Sequence, residues 1–249
     1  MMRCTVYLAA GCVLLASLAL AQEPLRGPDG RTTSHVSGVE VLAIPGAPFS
    51  AKDSIDWTRT LEDGSTMTLH LDAFLARDGQ GRIYRERHNF VPANAKTPAP
   101  LYEIHLYDPV ARTQMLCNGR TYQCVLTDYK PQTPFVTTPE GVYNRGTTTL
   151  RREHLGADVI DGIAVDGTRE TMTINAGVAG NERAYISTKE FWYSSELQTN
   201  LAVTRSDPAA GKQVIRLSKI SRSEPDAHLW DVPVGFKVRD MRGAGRRER

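Results

Sequence analysis

Residues 66–75, TMTLHLDAFL, decide the fold of this chain, because apolar and polar side chains alternate along them with a period of two. The apolar set is Met67, Leu69, Leu71, Ala73 and Leu75. Such alternation is typical of a strand that buries one face and exposes the other. The stretch therefore predicts an antiparallel sheet with one apolar face.

Turn residues punctuate the rest of the chain at the short spacing of hairpins, as at Asp63-Gly64, Asn118-Gly119 and Asp161-Gly162. We expect an all-β chain, a curled antiparallel sheet or half-barrel of about ten or eleven strands, with a short helical turn from Pro225 to Trp230. Residues 128–149 are rich in Pro, Gly and Thr, and we expect a long loop there.

The N-terminus reads as an export signal. Arg3 gives a basic start, an uncharged and mostly apolar run follows, and Ala19-Leu20-Ala21 has the pattern that signal peptidase accepts. Residues 1–21 are therefore predicted to be removed, which places the mature protein in the periplasm or outside the cell. The alternative is an outer-membrane lipoprotein attached through Cys12, because Leu8-Ala9-Ala10-Gly11-Cys12 is similar to a lipobox.

Three further segments are expected after the signal. Residues 22–50 contain several Gly and Pro and little periodicity, and they are predicted to be a flexible linker. Residues 51–240 form a single antiparallel β domain. Residues 241–249 are a basic, disordered tail, for which the alternative is a weak contact with anionic lipid headgroups at a membrane surface.

The charge balance argues against a nucleic-acid partner. The chain has 30 Lys and Arg against 28 Asp and Glu, a net charge of +2, whereas nucleic-acid binders carry a concentrated basic face. The hydrophobic content of 41% is sufficient for a buried core.

Cys117 and Cys124 remain once the signal and its two cysteines are removed. If Asn118-Gly119 makes a two-residue turn, their sulfur atoms lie roughly 13 Å apart along the ladder and cannot bond. If residues 118–123 form the loop, the cysteines face each other, Leu116 pairs with Val125, and Met115 with Leu126. The second register matches apolar to apolar and suits an oxidising compartment, so we predict a structural disulfide.

The segment from Phe191 onward resembles the LolA-like family of bacterial envelope proteins, which includes lipoprotein carriers and RseB-type regulators. The resemblance lies in FWYSSELQTN, in an acidic-Gly turn at Asp207 and Gly211, and in PDAHLWDVPVGF at 225–236. It implies a half-barrel whose concave apolar face accepts acyl chains in the carriers. This chain departs from the carriers in lacking amphipathic lid helices.

No catalytic or metal-binding motif stands out. The histidines form no His-x-x-x-His pair, the cysteines form no Cys-x-x-Cys pair, and no Gly-x-Ser-x-Gly elbow occurs. His70, His88 and His105 fall on three successive predicted strands, which makes a metal site conceivable, but a polar sheet face is the simpler interpretation. We expect no cofactor, no metal and no enzymatic activity.

The sequence hypothesis is an exported, non-catalytic binding module with an apolar concave face for a lipid or other hydrophobic ligand. The candidate ligand-binding residues are Trp57, Met67, Leu69, Leu71, Ile104, Leu106 and Trp192. The aromatic members could instead fill the core. The rival hypothesis is an envelope module for protein–protein interaction or stress sensing, with an envelope protein as partner and a closed core.

Overall fold

The computed structural model describes residues 39–131 and 138–243. The predicted signal 1–21, most of the predicted linker and the tail residues 244–249 lie outside the described residues. The strands are β1 (Phe49–Thr60), β2 (Thr66–Arg77), β3 (Ile83–His88), β4 (Val91–Pro92), β5 (Leu101–Asp108), β6 (Thr113–Asn118), β7 (Gln123–Asp128), β8 (Gly141–Tyr143), β9 (Thr148–Ile160), β10 (Ile163–Ile174), β11 (Tyr185–Ser194), β12 (Thr199–Asp207), β13 (Gly211–Ser221) and β14 (Lys237–Asp240).

All fourteen strands belong to one sheet in the order β14-β7-β6-β5-β3-β2-β1-β13-β12-β11-β10-β9-β8, with β4 paired to β2 beside this path. Every pairing is antiparallel except that of β14 with β7. The predicted all-β class is confirmed. The sheet is open, neither closed nor strongly curled, and its fourteen described strands exceed the expected ten or eleven.

Two 3-10 turns complete the described secondary structure, at Asn144–Gly146 and Ala227–Trp230. The second is the predicted C-terminal helical turn, and the Asp226 side chain caps it by accepting from the backbone N–H of His228. Within 39–131 and 138–243, no helix has the length and apolar character needed to cross a membrane. The described part of the predicted loop 128–149 contains β8 and the start of β9.

Each face of the sheet carries its own core. The alternation of β1 and β2 places Ile55 opposite Leu71 on what we call the inner face, which holds the larger core. The other face, called the outer face, carries Tyr84, Ile104 and Leu106 in a smaller core, against which Leu229, Trp230 and Phe236 pack. The C-terminal segment therefore covers the outer face.

Residues 39–48, called the arm, contribute to the larger core. Val39 and Val41 are fully buried there. Arg77 is also fully buried, and its guanidinium donates to the backbone carbonyls of Leu42 and Ala47 in the arm. The packed region thus includes residues of the segment predicted as a flexible linker, because Val39 and Val41 supply apolar surface to the sheet.

Candidate functional site

The inner face has a continuous apolar row across five strands. Leu71 on β2 pairs with Ile55 on β1, Ile55 with Ile215 on β13, Ile215 with Val203 on β12, and Val203 with Phe191 on β11. All five side chains are buried. These five side chains are the part of the larger core that the middle of the sheet contributes.

Towards the end of β1 the same face opens to solvent. Trp57 pairs with Leu69 one step beyond Ile55 and Leu71, and both are only partly buried. Met67, the next apolar side chain on this face, is 38% exposed. Phe90 packs edge-on against Trp57 with ring centroids 6.1 Å apart. We call Trp57, Met67, Leu69 and Phe90 the Trp57 patch.

The indole ring of Trp57 is held in place from two sides. Its N–H donates to the backbone carbonyl of Ala210 at 2.6 Å, in the turn between β12 and β13. Asp207 orders that turn by accepting from the backbone N–H groups of Ala209 and Ala210. The Arg59 guanidinium lies 5.7 Å from the centre of the indole. The patch therefore presents an oriented aromatic surface beside a positive charge.

Polar side chains continue the row of Trp57 across the neighbouring strands. Trp57 pairs with Gln213, Gln213 with Arg205, and Lys189 on β11 pairs with Arg205. Glu170 on β10 follows, and Arg152 pairs with it at 2.6 Å. The inner face is therefore amphipathic, with an apolar row beside a row in which basic residues predominate.

A buried polar cluster lies on the inner face beneath the arm. Asp53 is 3% exposed, and its Oδ1 atom has no hydrogen-bond partner among the described residues. Arg85 donates to the backbone carbonyl of Val39. Arg87 pairs with Glu103 at 2.9 Å, and His105 Nε2 lies 3.3 Å from the same carboxylate. The cluster joins β1, β3 and β5 to the arm.

Burial raises the pKa of Asp53 to about 7, while Arg85, the backbone N–H of Val39 and Arg87 act in the opposite direction. Desolvation dominates because a carboxylate without full pairing is costly to bury. Glu103, on β5 in the same cluster, shows the contrasting case, since His105 and Arg87 hold the pKa of that carboxyl below its ordinary value. Among the titratable groups of the inner face, Asp53 thus has the pKa that burial shifts most clearly.

The structure divides the candidate ligand-binding residues between the two faces. Trp57, Met67, Leu69 and Leu71 lie together on the inner face. Ile104 and Leu106 point to the outer face and belong to the smaller core, because their neighbour His105 is the residue that aligns with Arg85 and Leu75.

Trp192 lies apart from the Trp57 patch, on β11, where it packs against the larger core. It pairs with Gly167 on β10, and a β-carbon at Gly167 would lie 2.5 Å from the Trp192 Cζ3 atom. The indole therefore lies over Gly167 and occupies the space that a side chain at that position would take, as aromatic residues often do beside a glycine in a neighbouring strand.

Cys117 and Cys124 form the predicted disulfide, in the predicted register. They pair across β6 and β7, with Leu116 opposite Val125 and Met115 opposite Leu126. The bridge is fully buried in the smaller core. The disulfide links β6 to β7, and β7 is the strand with which β14 pairs.

Sequence reasoning missed Phe90, Asp53 and Arg77. For two of them, the alternation along the strand indicates an inward side chain: Asp53 is two residues before Ile55, and Arg77 is two residues after Leu75. A charged residue in the inward phase of an alternating strand predicts a buried polar contact. Phe90 comes from a connection, where no periodicity marks the direction of a side chain.

The histidines on successive strands do not converge. His70 contacts Asp56 and Asp72 on the outer face, whereas His105 lies on the inner face beside Glu103. Across the part of the chain that the structure describes, no group of three or more His, Cys, Asp or Glu side chains is arranged to hold a metal ion.

No protein-family profile and no curated protein sequence matches the chain. Among solved structures, an uncharacterised conserved protein from Thermus thermophilus is similar over 78% of this chain and 90% of its own, at 13% identity and a TM-score of 0.39. The MucA/MucB complex of Pseudomonas aeruginosa matches 78% of this chain and 57% of its own, at 9% identity and 0.37.

A LolA superfamily protein from Nitrosomonas europaea matches 75% of this chain and 91% of its own, at 11% identity and a TM-score of 0.26. The superfamily named by the sequence resemblance thus recurs among the matched structures.

Proposed function

We propose that this chain is an exported, non-catalytic binding module that holds the acyl chain of a lipid, or a similar hydrophobic ligand, at the Trp57 patch. The observation that carries the proposal is the continuity of apolar surface from the sealed row at Ile55 and Leu71 to the partly exposed Trp57 and Leu69 and the exposed Met67. Binding sites for small apolar ligands combine such surface with a few fixed polar groups.

The polar groups beside the patch favour a ligand with a negatively charged end. Arg59 approaches the Trp57 ring, and Arg205 lies in the same row two strands away. An acyl chain packed over Trp57 and Leu69 would place its carboxylate or phosphate near these guanidinium groups. Arginine suits such oxyanions because its N–H groups match their geometry.

A second candidate function follows from the complete burial of the apolar row that contains Ile55, Leu71 and Ile215. Ile55, Leu71 and Ile215 are at most 1% exposed, and the arm residues Val39 and Val41 already pack in the same core. A core filled by the chain itself favours the module for protein–protein interaction, in which the inner face is structural. The two functions differ in whether the purified protein contains a ligand.

Native mass spectrometry of protein released from the cell envelope without detergent tests the proposal. We expect a fraction of the molecules to carry additional mass that organic solvent extracts as lipid. Met67→Glu places a charge on the patch and should remove that mass. The matched control is Met241→Glu, at a methionine of similar exposure (36%) near β14, which should leave the bound mass unchanged.

Ligand-free wild-type protein would overturn the proposal and favour the closed module. Equal retention of ligand in both methionine variants would place the ligand elsewhere. Because both methionines are exposed, neither substitution should change the free energy of unfolding by more than about 0.5 kcal/mol.

A further inference from the structure

An apolar turn projects from the protein just before the edge strand β14. The backbone N–H of Phe236 donates to the carbonyl of Pro233 at 3.1 Å, and Gly235 has a φ of 86°, a geometry that glycine adopts without strain. Val234 is therefore at the apex, and its side chain is completely exposed. Turn apices usually carry polar residues.

Further apolar side chains surround this turn. Val232 precedes it and is 42% exposed, and Val238 follows it on β14 and is 43% exposed. Tyr122, at the end of the β6–β7 loop, is also exposed, and its ring contacts that of Phe236 with centroids 5.3 Å apart. The backbone N–H of Lys237 donates to the carbonyl of Tyr122, which fixes the turn beside the loop.

Positive charge flanks the same apolar side chains. Lys237 and Arg239 are exposed on β14, and Arg120 is exposed in the β6–β7 loop. On β14, the Asp240 carboxylate pairs with Arg242, and no ion pair of Lys237 or Arg239 occurs among the described residues. The sequence continues beyond Gly243 with Arg246, Arg247 and Arg249.

We infer that this edge of the sheet docks on a membrane surface containing anionic lipids. Val234 and Val232 enter the boundary between headgroups and acyl chains, while Lys237, Arg239 and Arg120 contact the headgroup phosphates. β14 lies at one edge of the sheet. A membrane that meets this edge therefore contacts side chains from both faces of the sheet. Apolar insertion combined with basic residues is the usual basis of peripheral membrane binding.

Protection of an edge strand explains only part of these features. Lys and Arg on an edge strand prevent pairing with other chains. Such protection does not require a fully exposed valine at the apex of an adjacent turn, nor exposed Val232 and Tyr122 around it. The inference is also independent of whether the Trp57 patch holds a ligand.

Co-sedimentation of the mature, full-length protein with vesicles tests the inference. One vesicle preparation contains phosphatidylglycerol and phosphatidylcholine in equal parts, and the other contains phosphatidylcholine alone. We expect binding to the first preparation, weakened by added salt, and little binding to the second. Val234→Ser should reduce the partition coefficient roughly fivefold to tenfold, and Lys237→Gln with Arg239→Gln about fivefold for each charge removed.

Matched controls lie on the opposite half of the sheet. Val159→Ser on β9 changes another valine that is 63% exposed, and Arg151→Gln changes an exposed arginine on the same strand. Both should bind vesicles as the wild type does. A further variant in which Arg246, Arg247 and Arg249 are replaced by Gln measures the contribution of the tail.

Three outcomes would overturn the inference. The first is no binding to either vesicle preparation. The second is binding that the tail variant abolishes and Val234→Ser leaves unchanged, which would assign the contact to the tail alone. The third is an equal loss in Val234→Ser and Val159→Ser, which would show that the effect does not belong to this edge.

Discussion

The guanidinium of Arg77 donates a 2.7 Å hydrogen bond to the backbone carbonyl of Leu197, which lies in the connection between β11 and β12. The same group donates to the arm at Leu42 and Ala47. One buried side chain therefore joins three segments that are distant in sequence. Burial lowers the pKa of Arg77 to about 10, so the group stays charged at neutral pH.

Arg77→Ala should destabilise the protein by about 3 kcal/mol or more, because it removes one hydrogen bond from each of three backbone carbonyls and opens a cavity. Urea denaturation measures the loss. Hydrogen exchange should also accelerate in the arm. The exposed Arg151→Ala is the control, with an expected change within about 0.5 kcal/mol. A loss for Arg77→Ala no larger than that of the control would contradict the role assigned to this residue.

Asp53 should make the stability of the protein depend on pH. Its pKa is about 7 in the folded protein and 3.8 in its ordinary state, so the folded state binds the proton more tightly between these values. The free energy of unfolding therefore falls as the pH rises from about 4 to about 7, by at most about 4 kcal/mol. Above pH 7 this contribution no longer changes.

Asp53→Asn should flatten that dependence, because an amide has no proton to lose. Urea unfolding of both proteins at a series of pH values gives the difference directly, and other titrating groups cancel in the comparison. Parallel curves for the two proteins would mean that Asp53 has an ordinary pKa in the fold.

The Cys117–Cys124 disulfide should leave no titratable thiol in the unfolded, unreduced mature protein. Its reduction should cost about 2.5 kcal/mol in the chain-entropy treatment of a short loop. Ellman titration in denaturant measures the thiols, and a reduced sample gives the positive control. Two free thiols per chain before reduction would contradict the bridge.

Processing after Ala21 should give a mature protein that begins at Gln22. Intact-mass analysis of the exported protein measures this directly. A chain that begins at Cys12 and carries acyl mass would instead establish a lipoprotein, and residues 13–21 would then remain in the mature protein.

Local patterns were sufficient for much of the fold. The alternation in 66–75 identified the inward phase of β2, and matching apolar pairs identified the register of the disulfide hairpin. Both succeed because a period of two and a short loop are local properties of the chain. The short strands β4 and β8 have no such pattern, and the parallel pairing of β14 with β7 joins residues far apart in sequence.

The candidate site could be predicted only within one hairpin. Trp57 and Leu69 come together because β1 and β2 are joined by a tight turn that fixes their relative phase. The sequence also predicts Ile104 beside them, yet the face on which Ile104 lies depends on two successive pairings, of β2 with β3 and of β3 with β5. A shift of one residue in either pairing turns the side chain to the opposite face, and the sequence does not encode that shift locally.

The most direct test of the central claim uses the fluorescence of Trp57. A variant with Trp192→Phe and Trp230→Phe keeps Trp57 as its single tryptophan. Bromine quenches indole fluorescence at short range, so a brominated fatty acid bound at the patch should quench this variant in a saturable way that the unbrominated fatty acid reverses by competition. Quenching that is absent, or that is equally strong in a Trp57→Phe variant retaining the other two tryptophans, would contradict ligand binding at the Trp57 patch.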